Sequence, residues 1–248
     1  MKNFLKISIA LLILIPVSCS MDSDISSDFT GGSGTGGSMA RFTILNNHLY
    51  TVDNSSLNVY DINNPEKPRY LKKTELAFTV ETIFPFNSNL FLGTTNGMYV
   101  FDASLPANPS QISFFQHTRS CDPVVTDGKF AYVTLNTASI NCGRMVNELQ
   151  IVDINDIKNP ILVKTFQMES PRGLAIRNDT LWVCDKGLKV FNVANKQTPL
   201  QINYFTDLTA YDIILNKNLA LVVGETGFVQ YKLEKNSIKK LSEIKINF

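Results

Sequence analysis

Short apolar runs that end in a polar residue recur along most of this chain, and one such pattern returns several times. Residues 57–71 read LNVYDINNPEKPRYL, and residues 98–115 read MYVFDASLPANPSQISFF. The same pattern follows as LQIVDINDIKNPILVKTF at 149–166 and LKVFNVANKQTPLQINYF at 188–205, with a degenerate fifth copy at 227–244. Short apolar runs of this kind predict β-strands, so the sequence indicates a β-rich repeat protein.

The polar residue that ends each apolar run gives the period of the repeat. Successive copies are 41, 51, 39 and 40 residues apart, counted between Asp61, Asp102, Asp153, Asn192 and Lys232. A period near 40 residues in a β-rich chain predicts propeller blades, because α-solenoid repeats of this length show helical periodicity instead.

Each repeat divides into four predicted strands, which in the first copy cover 40–45, 48–52, 57–62 and 69–76. Asn, Asp and Gly separate the strands, and these residues tolerate the positive φ of tight hairpins. The outer strand follows a proline seven residues after the polar residue, at Pro68, Pro109, Pro160 and Pro199. The polar residues themselves are expected to accept hydrogen bonds from the next turn rather than to act in catalysis or metal binding.

The runs LQIVDI, LNVYDI and MYVFDA, each followed by proline at a fixed offset, resemble the LVIVD repeat. This repeat is a β-propeller blade of secreted and membrane-anchored bacterial proteins, and the resemblance implies little about activity. The fold prediction is an all-β propeller of about five four-stranded antiparallel blades, at 39–78, 79–119, 120–168, 169–207 and 208–248. Relatives often carry more repeats than five, which implies a short version here.

The N-terminal residues predict export. Residues 1–18 combine a basic start with a short apolar run, as signal peptides do. IPVSC places Cys19 where bacterial lipoproteins carry the lipidated cysteine, although Pro16 stands where leucine is usual, and an ordinary secretory signal is the alternative. Residues 19–38 are rich in Gly and Ser and predict a flexible tether. These features resemble lipoproteins of the Bacteroidetes type, anchored in the outer membrane on the periplasmic or the surface face.

The composition of the chain argues against one class of partner, nucleic acids. The chain has 248 residues, 44% of them hydrophobic and 18% charged, and its formal net charge is +1. A hydrophobic fraction of this size supports a packed core. No basic stripe is present, so the sequence gives no indication of nucleic-acid binding.

Aligning the first strands of the repeats brings charged residues to one mouth of the central channel. The predicted cluster consists of Arg41, Glu81, Asp122, Arg172, Tyr211 and Asp212. One interpretation is a ligand site. The other is a structural cluster in which the arginines pair with the carboxylates.

About ten extra residues lengthen the third repeat, within 136–148. Cys142 lies in this insertion and Cys121 lies at the start of the third blade, so we expect a disulfide between them in an exported protein. Cys184, in a predicted strand, is expected to be a buried free thiol. His48 and His117 have no ligand spacing around them, and no metal site or cofactor is predicted.

Three functions fit these features. The first is a membrane-anchored extracytoplasmic binding module for a protein or a glycan. The second is a propeller lyase or hydrolase that uses Glu81, Asp122 and Arg172, since paired carboxylates beside an arginine can perform acid–base chemistry. The third is a structural subunit of a larger envelope assembly. The sequence leaves the oligomeric state open.

Overall fold

A computed structural model describes residues 37–117, 123–136, 146–234 and 237–246. These residues form twenty β-strands in five four-stranded antiparallel sheets, and they contain no helix. The prediction of an all-β propeller with about five blades is therefore confirmed. None of the described residues forms a helix long and apolar enough to cross a membrane.

Each sheet consists of four strands that are consecutive in the chain. Blade 1 contains β1 (Phe42–Leu45), β2 (His48–Val52), β3 (Ser56–Asp61) and β4 (Arg69–Glu75). Blade 2 contains β5 (Val80–Phe86), β6 (Asn89–Thr94), β7 (Gly97–Asp102) and β8 (Ser110–Gln116). Blade 3 contains β9 (Val124–Thr126), β10 (Phe130–Leu135), β11 (Glu148–Asp153) and β12 (Ile161–Gln167).

The last two sheets follow the same order. Blade 4 contains β13 (Pro171–Arg177), β14 (Thr180–Asp185), β15 (Gly187–Asn192) and β16 (Leu200–Phe205). Blade 5 contains β17 (Ala210–Asn216), β18 (Leu219–Gly224), β19 (Gly227–Glu234) and β20 (Ser237–Lys245). The first strands of successive blades contact one another, so they are the inner strands of the propeller.

The repeated polar residue has the structural role that the sequence predicts. Oδ1 of Asp61 accepts a hydrogen bond from the backbone N–H of Asn63 at 2.9 Å. The equivalent bonds to Asp102, Asp153 and Asn192 measure 2.7, 2.8 and 2.9 Å. Each side chain therefore fixes the turn after the third strand. In blades 1 to 4 the outer strand then begins at the residue after the proline.

A β-bulge between the third and fourth strands recurs in all five blades and was not predicted. In blade 1 the register shifts between Val59 and Tyr60, and the other four blades shift at the matching position. A bulge increases the local twist of a sheet, so the repeat carries this twist in every blade.

The core lies between neighbouring blades. Four clusters of buried apolar side chains join blade 1 to 2, blade 2 to 3, blade 3 to 4 and blade 4 to 5. The described residues contain no such cluster between blades 5 and 1. Each of blades 1 to 4 therefore packs against the next blade, and no equivalent cluster of described residues covers the other face of blade 1 or the far face of blade 5.

Candidate functional site

The inner strands bring two of the predicted cluster residues into direct contact. Arg172 is the second residue of β13 and Tyr211 is the second residue of β17. The guanidinium carbon of Arg172 lies over the Tyr211 ring, 4.3 Å from its centroid. Both side chains are half-buried. A cation held over a ring at this distance is oriented before any ligand arrives.

Arg172 forms no ion pair with a carboxylate in the part of the chain that the structure describes. Its backbone carbonyl accepts a hydrogen bond from the hydroxyl of Thr134 at 2.6 Å, which ties blade 4 to blade 3. The backbone is therefore fixed by the neighbouring blade, and the charged end of the side chain has only the Tyr211 ring as its partner among these residues.

Asp212 has a different environment, because the residues just before β1 cover it. The hydroxyl of Ser38 donates a hydrogen bond to Asp212 Oδ1 at 3.2 Å, and the N–H of Ile213 donates to the same oxygen at 2.9 Å. The backbone N–H groups of Ser38 and Met39 also contact the carboxylate. Burial nevertheless raises the pKa of Asp212 above its ordinary value.

Two glycines let the backbone approach this carboxylate closely. A Cβ atom on Gly37 would lie 2.1 Å from Oδ2 of Asp212, and a Cβ atom on Gly173 would lie 2.1 Å from Oδ1. Both distances are far below a van der Waals contact, so any larger residue at either position would displace the aspartate. Asp212 is thus enclosed by blade 4 on one side and by the segment before β1 on the other.

Ser38 is a site residue that the sequence did not indicate, because it ends the predicted tether. It is 1% exposed. Besides bonding Asp212, its hydroxyl oxygen accepts a hydrogen bond from the N–H of Leu174 at 2.8 Å. The carbonyl of Ala40 accepts one from the N–H of Ile83 at 2.8 Å. This segment therefore connects blades 2, 4 and 5, and nothing in a Gly/Ser-rich stretch distinguishes it.

The remaining predicted residues are placed as follows. Arg41 is exposed and donates to Asn54 Oδ1 and to the carbonyl of Val80, both at 3.3 Å. Glu81 is half-buried in β5. Four of the predicted residues lie outside the described part of the chain, so their roles stay predictions: Cys19, Cys121, Asp122 and Cys142.

The sequence also did not predict the role of Asp185, a buried carboxylate in blade 4. Asp185, at the end of β14, is completely buried. It accepts hydrogen bonds from the N–H groups of Glu169 and Ser170, the latter at 2.6 Å, and it pairs with Lys189 Nζ at 2.8 Å. These contacts fix the connection between blades 3 and 4 next to Arg172. Its only signal in the sequence is a carboxylate at the end of an apolar strand.

Cys184 is a buried free thiol, as predicted. Burial raises the pKa of Cys184 well above its ordinary value, which disfavours the reactive thiolate. In the described part of the chain, no three His, Cys, Asp or Glu residues are grouped closely enough to hold a metal ion.

Comparisons with known proteins agree with this fold. Residues 119–167 match the model of the LVIVD repeat family. The predicted resemblance is confirmed for this segment, while its lipoprotein part stays a prediction. The comparison with curated proteins gives no significant match.

Three solved structures are similar to the chain. A "putative 6-phosphogluconolactonase" from Bacteroides fragilis superposes with a TM-score of 0.64 at 12% identity, over 83% of this chain and 70% of its own. A protein of unknown function from Desulfotomaculum acetoxidans gives 0.65 at 13%, over 81% and 67%. Apo AztD from Citrobacter koseri gives 0.58 at 10%, over 78% and 57%. At these identities the similarity concerns the fold alone.

Proposed function

We propose that this chain is a membrane-anchored extracytoplasmic binding module whose inner-strand site binds an anionic group of a protein or a glycan. A propeller with an LVIVD repeat is itself typical of a binding or interaction module. The observation that carries the proposal is Arg172, half-buried against Tyr211 and without an ion-pair partner among the described residues.

The chemistry of this pair defines the class of ligand. A guanidinium presents a planar fork of N–H donors that matches a carboxylate or a sulfate, and charge-assisted hydrogen bonds of this kind are strong. The guanidinium lies over the Tyr211 ring and pairs with no carboxylate of the described residues, so its N–H groups can donate to the ligand. Uronic-acid units of a glycan and acidic side chains of a protein both supply such anions.

The alternative of a structural cluster requires arginines that are paired with carboxylates. Arg172 contacts an aromatic ring instead, and the hydrogen bonds to Asp212 come from Ser38 and from backbone N–H groups. The lyase or hydrolase alternative rests on Glu81, Asp122 and Arg172 acting together, and Asp122 lies outside the described residues. The contacts of Arg172 therefore favour a binding site over a structural cluster.

The test is a calorimetric titration with a panel of uronate-containing oligosaccharides and acidic peptides, beside a pull-down from native membranes. Loss of one charge-assisted contact of about 1.5–3 kcal/mol should weaken binding in Arg172→Ala by roughly 10- to 100-fold. Arg172→Lys should recover only part of the affinity, because the ammonium lacks the planar fork.

Arg69→Ala is the matched control, since Arg69 is an exposed arginine that pairs with Asp61 at the surface. It should bind like the wild type. The proposal is wrong if Arg172→Ala keeps its ligands and instead loses roughly 1–3 kcal/mol of stability in urea, which is the result that a structural role predicts.

The membrane anchor is tested separately. Cys19→Ala should move the protein from the membrane fraction to the soluble fraction, because the lipid chains supply the attachment. A variant that still sediments with membranes would contradict the anchor without affecting the binding site.

A Cys121–Cys142 bond should appear as a crosslinked peptide in non-reducing mass spectrometry, with Cys184 free.

A further inference from the structure

A cavity of about 510 Å³ lies between blades 4 and 5, and we call it the blade-4/5 cavity. Apolar and amide side chains of both blades form much of its wall: Trp182, Ile202, Asn203, Leu233 and Ile238. The cavity reaches Arg177, at the opposite end of β13 from Arg172, so it is separate from the site proposed above. Its volume is in the range of ligand-binding pockets.

The two charged residues that line the cavity already have partners. Arg177 donates a hydrogen bond to the backbone carbonyl of Lys217. Glu234 pairs with Lys232 at 3.3 Å and with Lys239 at 3.4 Å. Because neither charge is left uncompensated, the cavity is better suited to an uncharged group than to an ion.

The cavity lies where the other blades place a long connection between their third and fourth strands. Seven residues form this connection in each of blades 1 to 4, whereas two residues connect β19 to β20 in blade 5. In blades 2, 3 and 4 the fourth residue of the connection is half-buried and contacts the preceding blade: Pro106, Ile157 and Lys196. Blade 5 has no such residue, so the space against blade 4 is left for another occupant.

Side chains of the preceding blade hold this fourth residue by its backbone. The hydroxyl of Tyr50, in β2, donates a hydrogen bond to the carbonyl of Pro106 at 2.8 Å. The hydroxyl of Ser113, in β8, donates to the carbonyl of Ile157 at 2.7 Å. Donors on the second and the fourth strand of a blade therefore bind a peptide carbonyl of the blade that follows.

Blade 4 has donors at both of these positions, and both line the cavity. By the strand pairing, Trp182 is the counterpart of Tyr50 and Asn203 is the counterpart of Ser113. The indole N–H of Trp182 is buried and has no acceptor among the described residues. Oδ1 of Asn203 accepts a hydrogen bond from the N–H of Tyr204 at 2.8 Å, which leaves the NH₂ group of Asn203 as a donor.

We propose that the blade-4/5 cavity is a peptide-binding site, which takes an uncharged turn of a partner protein in the place of the connection that blade 5 lacks. An apolar or proline side chain of this turn packs among Trp182, Leu233 and Ile238. Carbonyl groups of the turn accept hydrogen bonds from Asn203 and from the indole N–H, which removes the cost of a buried donor without an acceptor. The occupant is a peptide because a peptide fills the equivalent space at the three other interfaces between blades.

The fluorescence of Trp182 tests this proposal directly, because it is the only tryptophan of the chain and it lines the cavity. The probe is a head-to-tail cyclic peptide that contains residues 103–109, ASLPANP, closed by glycines. Added to the full chain, it should change the fluorescence in a saturable way at about 1 mM or below. The same peptide with Pro106→Asn should give no saturable change, and neither should a panel of neutral oligosaccharides.

Three variants of the protein locate the binding. Asn203→Ala should weaken binding of the cyclic peptide by roughly 3- to 10-fold, because one hydrogen bond is lost. Gln201→Ala is the matched control, since Gln201 is exposed on the same strand and does not line the cavity. Arg172→Ala should also bind the peptide like the wild type, because the peptide carries no charge. This result separates the blade-4/5 cavity from the site proposed for anions.

Three outcomes would overturn the proposal: no response to either peptide, an equal response to both peptides, or a response to the oligosaccharides alone. An Asn203→Ala variant that binds as tightly as Gln201→Ala would also contradict it, because the peptide would then lie elsewhere. The peptide pair keeps the test decisive even if a protein variant fails to fold, since both peptides are compared on the unaltered chain.

Discussion

Replacing Ser38 by alanine should destabilise the propeller by about 1.5–4.5 kcal/mol. Two hydrogen bonds depend on the Ser38 hydroxyl: one donated to Asp212 and one accepted from the N–H of Leu174. Leu174 is fully buried, so its amide would lose a partner that water cannot replace. An unsatisfied buried amide costs about 1–3 kcal/mol, and the lost bond to Asp212 adds about 0.5–1.5 kcal/mol.

Urea unfolding followed by the fluorescence of Trp182 measures this change. Ser237→Ala is the control, because the Ser237 hydroxyl donates to Glu234 at the exposed end of blade 5. It should change the free energy of unfolding by less than about 0.5 kcal/mol. The slope of unfolding free energy against urea should be the same in both variants, because neither changes the surface that unfolding exposes.

Truncation of the chain should show the same dependence on this segment. A chain that begins at Gly37 keeps the contacts of Ser38 with Asp212 and Leu174, whereas a chain that begins at Ala40 should lose at least as much stability as Ser38→Ala. If Ser38→Ala unfolds like the wild type, the segment before β1 does not dock on Asp212, and the central contacts described above are wrong.

Three further predictions follow from buried polar groups. Burial raises the pKa of Asp212 above 3.8, so its ionisation lowers stability at pH 7 and this loss disappears as the pH falls through the raised pKa; the wild type should therefore gain stability relative to Asp212→Asn as the pH is lowered from 7 towards 4 in paired urea melts. Asp185→Ala should cost about 3 kcal/mol, because it leaves Lys189 and two backbone amides without their buried acceptor; an unchanged melt would contradict this. Gly173→Ala should cost about 1–3 kcal/mol by overpacking against Asp212, again measured by urea unfolding.

The repeat architecture was predictable because its signals are local. The carboxylate of Asp61 and the proline at 68 act within one turn, and their spacing survives in four copies. The bulge that follows Val59 was not predictable in the same way, because it depends on how two strands pair and no residue type marks it. Sequence patterns therefore located the blades but not their internal register.

The sequence patterns did not predict most contacts between segments that are distant in the chain. Ser38 meets Asp212 across 174 positions, and its surroundings read as a linker because Gly and Ser have little to bury. The uncovered face of blade 5 was equally hidden, since Leu221 and Phe228 occupy the same apolar pattern as residues that are buried in the other blades. Whether such a face is covered depends on the number of blades and on the closure of the propeller.

The alignment of inner strands placed Tyr211 and Asp212 in one cluster, but the pairing of β17 with β18 is irregular between Ala210 and Asp212, and the two side chains have different partners. Tyr211 stacks with Arg172, while Asp212 turns to Ser38 and is enclosed by Gly37 and Gly173. The carboxylate is thus satisfied by the chain itself, whereas Arg172 has no carboxylate partner among the described residues. An anion that approaches the inner strands would therefore meet the guanidinium without competition from the carboxylate of Asp212, which is the electrostatic arrangement that the proposed binding site needs.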